Sequence, residues 1–267
     1  MRLPRRKWLQ IAGVGLPASI STRAAGVAAA TFPTTVASRV ERLFKTPGPQ
    51  PNGLQATPEG LWILDQNTNH ASLVSYSDGK VIRDLATESD RGSGITFDGS
   101  AIWIASTYNR LILKVDAHTG KTLKQFPTPG AGVVKWPPRS AHPAATGAHG
   151  MEFSRGELFV AVPPAATVYV MNPEDGSVIR SFPAPGVRPH GIGWDPNGDL
   201  WCTESIYRSF FRMNRNDGKI SKQIMLPPLE PMVDGLVQTA HGMTIRDKQI
   251  WFCVAETAEV YRVSPTI

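Results

Sequence analysis

The sequence predicts an all-β fold: a five-bladed β-propeller of four-stranded antiparallel blades, with the last blade closed by an N-terminal strand. Three observations carry this. A Gly that opens an apolar strand recurs five times, each time followed by an aromatic-led strand. A polar hairpin turn trails each of the first four aromatics. The 23 prolines and 24 glycines among 267 residues leave little room for long helices.

The first unit runs from Asn52-Gly53 to Leu61-Trp62, with its turn at Ser77-Asp78-Gly79-Lys80. The second runs from Ser93-Gly94 to Ile102-Trp103, turning at Thr119-Gly120-Lys121. The third leads from His149-Gly150 to Leu158-Phe159 and turns at Glu174-Asp175-Gly176. The fourth leads from His190-Gly191 to Leu200-Trp201 and turns at Asn216-Asp217-Gly218-Lys219, and the fifth joins His241-Gly242 to Ile250-Trp251. The glycine spacings are 41, 56, 41 and 51 residues. In the fourth unit the strands are expected near 191–195, 200–203, 209–214 and 219–225. Repeats of about 40–45 residues with four strands each are the signature of propeller blades. One blade cannot bury both its faces, so Trp62, Trp103, Phe159, Trp201 and Trp251 are expected in the layers between blades. The fifth unit ends after three strands, at 261–267. The segment 36–46 is the expected fourth strand, which closes the ring and leaves no open seam. A degenerate sixth blade over 126–148 is the alternative; its prolines 127, 129, 137, 138 and 143 favour a loop.

A hydrophobic content of 41% with 19% charged residues can bury a sizeable core and excludes intrinsic disorder. The formal charge of +6 belongs mostly to the leader, because residues 1–30 carry Arg2, Arg5, Arg6, Lys7 and Arg23 and no acid. Beyond them the balance is near neutral, with no basic excess to bind nucleic acid. The start, Pro4-Arg5-Arg6-Lys7-Trp8-Leu9-Gln10, precedes a mildly apolar stretch and ends in Ala28-Ala29-Ala30. It is read as a twin-arginine (Tat) signal peptide over 1–30, ahead of a single propeller domain over 31–267. An ordinary signal peptide or a membrane anchor is the alternative. The expectations are engagement of the Tat machinery, a periplasmic or secreted location, and no transmembrane helix once the leader is cleaved. Two cysteines cannot build a disulfide scaffold, and Cys202 and Cys253 are read as buried free thiols.

The stretch Pro189-His190-Gly191-Ile192-Gly193-Trp194-Asp195-Pro196-Asn197-Gly198-Asp199-Leu200-Trp201-Cys202-Thr203-Glu204 resembles streptogramin B lyase-like propellers and the broader NHL and SMP-30/lactonase superfamily. The resemblance covers residues 50–267. It implies metal-assisted lyase or hydrolase chemistry, and makes Glu204 a ligand or general base through the Leu-Trp-x-Thr-Glu motif. Streptogramin lyase is usually seven-bladed and magnesium-dependent, so a five-unit chain departs from it. The Glu/Asn/Asp metal set of the lactonase branch has no counterpart that can be placed here.

Blade topology brings the strand-1 starts and the strand 2–3 loops to one face. Asn52, Ser93, His149, His190 and His241 form the inner ring of that face, and His118 falls on the opposite one. Three imidazoles at equivalent positions suit a divalent metal site at His149, His190 and His241, with Zn, Fe, Mg or Ca as candidates. Amidating lyases with NHL-type repeats offer an analogy, with one zinc-binding histidine from each of several blades. The bland reading has each imidazole bonding a neighbouring blade's backbone. Glu204 and His241 are the candidate catalytic residues. Asn52, Asp65, Tyr108, Arg110, Trp136, His142, Tyr207, Arg208 and Glu256 are the candidate substrate contacts. The expected function is that of an exported enzyme, a metal-assisted lyase or hydrolase acting on a small polar or cyclic substrate. The alternative is a non-catalytic propeller that binds a ligand or protein on the same face.

Overall fold

Strands that are apolar on both faces must be covered on both, and the chain achieves this by setting five small sheets side by side. The structure is a computed structural model and describes residues 31–136, 145–229 and 238–264. Residues 1–30, read from the sequence as a Tat signal, and His142 lie outside the described residues.

Two short strands come first, β1 (Thr34–Val36) and β2 (Arg39–Lys45). Blade 1 comprises β3 (Pro51–Ala56), β4 (Leu61–Asp65), β5 (His70–Val74) and β6 (Val81–Ala86). Blade 2 comprises β7 (Ile95–Phe97), β8 (Ala101–Ser106), β9 (Leu111–Asp116) and β10 (Thr122–Pro127). A two-stranded hairpin follows, β11 (Gly132–Val133) with β12 (Ala145–Thr146). Blade 3 holds β13 (Gly150–Ser154), β14 (Glu157–Val162), β15 (Thr167–Met171) and β16 (Val178–Pro183). Blade 4 holds β17 (Pro189–Trp194), β18 (Leu200–Glu204), β19 (Ser209–Met213) and β20 (Ile220–Met225). Blade 5 holds β21 (Ala240–Arg246), β22 (Gln249–Val254) and β23 (Glu259–Ser264), with β2 as its outermost strand.

Five apolar clusters fill the five gaps between blades, and each repeat aromatic faces the blade that follows it. Trp62 packs with Ile95, Ile102 and Leu113 of blade 2, and Trp103 packs with Met151, Leu158 and Val160 of blade 3. Phe159 meets Ile192 and Leu200 of blade 4, and Trp201 meets Met243 and Phe252 of blade 5. The ring closes where Trp251, Cys253 and Val260 meet Leu54, Leu61 and Ile63 of blade 1. Burying a side chain of this size stabilises the fold by about 1.5–3 kcal/mol.

The closing strand is β2, antiparallel to β23, with Arg39 opposite Ser264 and Lys45 opposite Glu259. Its start differs from the expected 36–46. Val36 belongs to β1, which adds in parallel to β20 as a fifth strand on blade 4, Thr34 opposite Gln223. Three exposed residues carry no alternation, so nothing in their pattern announces a strand. Just before β1, the Phe32 ring sits edge-on to Phe211 with centroids 6.1 Å apart. The N-terminal segment thus laces blade 4 to blade 5. Among its described residues the segment 126–148 forms no sixth blade but the β11–β12 pair, where a plain loop was expected. Cys202 and Cys253 are free and buried, and they lie in different interblade layers. Burial pushes both thiols up, that of Cys253 to about 12. No helix among the described residues is long and apolar enough to cross a membrane.

Candidate functional site

First strands line the axis, so the residues at their starts decide what the mouth of the ring holds. Asn52, Ser93, His149, His190 and His241 take the five equivalent places, each just before a Gly, and all are buried. The five glycines form a collar beneath them. A Cβ on Gly150 would run into the carbonyl oxygen of His190, and one on Gly191 into the backbone nitrogen of Met243. Only glycine allows strands to approach this closely. The collar leaves no space for a water molecule at its centre.

Above the collar the histidines form a row. His149 and His190 meet edge to face with centroids 5.0 Å apart, and His190 and His241 stack at 4.9 Å. Burial pulls the His149 imidazole down to about 3, helped by the Arg188 guanidinium. Burial also holds His190 well below the usual range, together with the charges of His241, His149 and Arg188. Both rings therefore stay neutral through the physiological range, and far below the pH of 6.5 at which a free imidazole half-titrates. The Thr239 hydroxyl lies 3.2 Å from His241 Nε2, and Glu256 Oε1 lies 3.8 Å from the same nitrogen. Trp136 stands edge-on to His149 at 6.0 Å, and Arg188 lies 5.4 Å above the Trp136 ring.

The other expected site residues stand at the blade ends and the rim. Glu204 is fully buried at the end of β18. Its Oε1 accepts from the backbone N–H of Val187 (3.2 Å) and Arg188 (2.7 Å), and its Oε2 accepts from that of Tyr207 (2.6 Å). The carboxylate fastens the loop that carries Arg188 toward His190, and it has little lone-pair capacity left for a substrate. Asp65 does the same at the end of β4, accepting from the backbone N–H groups of Gln50, Asn67 and Thr68. Tyr108 and Tyr207 are exposed at the rim, with Arg91 over the Tyr108 ring at 5.1 Å. Arg110 and Arg208 close equivalent strand 2–3 turns in the left-handed region, with φ of 60° and 49°. Asn52 Oδ1 is buried without a hydrogen-bond partner at the axis.

The residues that sequence reasoning missed are Arg188, Thr239 and Glu152. A base two positions ahead of a His-Gly pair was the available sign of Arg188. Glu152 lies below the collar, fully buried, and burial pushes its carboxyl well above the usual range against a hydrogen bond from Gln55.

His149 Nδ1 and Nε2 and His190 Nδ1 are buried without hydrogen-bond partners. Neutral imidazole nitrogens of this kind are donors for Zn or Fe, whereas Mg and Ca prefer oxygen ligands. The stacked His190 and His241 rings lie only 13° from parallel, so their in-plane lone pairs do not meet at a point. Among the described residues no group of three or more His, Cys, Asp or Glu is arranged to hold an ion.

No protein-family model matches the chain, and no curated protein matches its sequence. Solved structures do. Glutaminyl cyclase of Myxococcus xanthus superposes with a TM-score of 0.65 at 9% identity, over 88% of this chain and 98% of that one. A catalytically inactive histidine-to-alanine variant of virginiamycin B lyase from Staphylococcus aureus, with quinupristin, gives 0.50 at 20% identity over 82% and 68%. A streptogramin B lyase gives 0.50 at 14% identity over 85% and 97%. At these identities the likeness is one of fold: the chain is a five-bladed β-propeller of an architecture on which enzymes are found.

Proposed function

We propose that the protein is an exported enzyme that uses its axial histidine row for lyase or hydrolase chemistry on a small polar or cyclic substrate. The observation that carries the reading is the row itself: three imidazoles from three blades, buried at one mouth, with centroids 5.0 and 4.9 Å apart. Burying uncompensated ring nitrogens costs stability, and such costs are retained where they serve chemistry. His241, beside the Thr239 hydroxyl and Glu256, is the proton carrier; the carboxylate orients the ring and stabilises its charged form. Trp136 and Arg188 wall the mouth, and Asn52 Oδ1 accepts a substrate N–H or O–H. His149 and His190 are the proposed donors to a Zn or Fe ion, which when bound would polarise a carbonyl or activate water. The leader's Arg5-Arg6 pair supports Tat export to a periplasmic or secreted location. The solved lyase in complex with quinupristin supports a cyclic substrate class.

The test is metal content of the purified mature protein together with turnover of a panel of small lactones and cyclic depsipeptides, quinupristin included. His149→Ala and His190→Ala should each lower bound metal and activity, while His241→Ala should lower activity and leave the metal. If no member of the panel turns over and binding persists in all three variants, the non-catalytic binding reading replaces this one.

A further inference from the structure

On the face opposite the histidine row, a cleft of about 430 Å³ opens between blades 1 and 2. The repeat differs here from its form in blades 2 and 4. In blade 2 the Trp103 indole N–H donates to Asp98 (2.9 Å), and Lys114, directly across the sheet, pairs with the same carboxylate at 3.0 Å. In blade 4 Trp201 donates to Asp195 (3.1 Å), and Arg212, again directly across, pairs with it at 3.1 Å. These clamps seal the outer corner of each indole. Blade 1 has neither part. Thr57 stands at the turn, its hydroxyl donating to the Gly60 carbonyl, and Leu73 stands across from Trp62. The buried Trp62 ring floors the cleft at 2% exposure, and the half-buried Phe97 ring stands beside it.

The charges at the cleft are sorted. Glu59 comes from the strand 1–2 turn, at the axial end. Arg83 on the outer strand and His118 in the neighbouring strand 3–4 turn stand at the outer end. Arg83 donates one N–H to the Ala117 carbonyl at 3.1 Å, which fixes the guanidinium at the rim. A ligand that satisfies both ends carries an ammonium at one end, a carboxylate at the other, and a flat apolar body between. The charges of a single α-amino acid sit on one carbon, whereas those of a dipeptide lie at its two ends. The volume lies within the usual range of about 300–1,000 Å³ for small-molecule sites.

We propose that this cleft binds a zwitterionic dipeptide with an aromatic side chain: the ring against the half-buried Phe97, the ammonium at Glu59, and the carboxylate at Arg83. The site is independent of the histidine row.

The probe is the dipeptide Gly-Phe, titrated into the mature protein by calorimetry. Saturable binding is expected. N-acetylation or C-terminal amidation of the peptide should each weaken it about tenfold, the worth of about 1.4 kcal/mol. Arg83→Gln and Glu59→Gln, both surface changes, should do the same, and Phe97→Leu should weaken binding by removing the aromatic face. His149→Ala on the other face should leave it unchanged. Absence of saturable heat, equal affinity for the blocked peptides, or indifference to both charge variants would overturn the proposal. So would loss of binding in His149→Ala with Arg83→Gln unaffected, which would place the peptide at the axial mouth.

Discussion

Acid should destabilise this propeller through its own histidines before its surface carboxylates titrate. Burial draws the His149 imidazole down to about 3, against 6.5 in the unfolded chain. Below pH 6.5 the unfolded state takes up a proton that the folded state refuses, so stability falls as pH falls, and the loss continues down to the folded value. At pH 4.5 the gap is two pH units at about 1.36 kcal/mol each, or about 2.7 kcal/mol from His149 alone. His190 adds a loss of the same sign. The perturbation is His149→Asn, which places at blade 3 the side chain that blade 1 carries as Asn52. Denaturant unfolding at pH 7.0 and 4.5 reads the effect. The wild type should lose about 2.7 kcal/mol more than the variant between the two pH values, a cycle in which titrating groups away from the histidine row cancel. Equal losses would refute the claim that this ring is held neutral at the mouth.

Glu152 carries the opposite sign: burial raises its carboxyl above the unfolded value, so its contribution to stability is lost as pH rises. Glu152→Gln should therefore raise the melting temperature at pH 7 and raise it less at pH 4.5, as calorimetry would show. Gly191→Ala drives a Cβ into the backbone at Met243, where nothing flexible can yield, and should cost about 3 kcal/mol or more in denaturant unfolding. Glu204→Gln exchanges a backbone acceptor for an amide and should cost about 1–3 kcal/mol. A loss of activity at unchanged stability would instead make Glu204 catalytic. Deleting 31–46 bares the outer edges of β20 and β23 and should shift the size-exclusion peak of the intact protein to aggregate.

The blades were legible because each repeats the same physical sentence: a Gly where strands crowd the axis, an aromatic where blades meet, and a polar turn where strands reverse. The convergence of His149, His190 and His241 followed from that register alone. What failed to show was of two kinds. β1 and the β11–β12 hairpin are held by backbone pairing with little side-chain patterning, so they leave no trace in Thr34-Thr35-Val36 or Gly132-Val133. The roles of Glu204 and Asp65 depend on which backbone N–H groups the adjoining loops turn inward, and residue type does not reveal that. A motif carboxylate on a functional face looks the same whether it meets a substrate or ties down a loop.

The glycine collar closes the axis beneath the histidine row. A ligand that reaches the histidine row has no rear exit, so it leaves by the opening through which it came. Entry and departure exclude each other in time, and whatever a reaction leaves behind stands in the way of the next arrival. For the proposed enzyme this means product inhibition of the competitive type. The opposite face, with its cleft between blades 1 and 2, shares no solvent path through the axis and can evolve, or be engineered, as a separate surface.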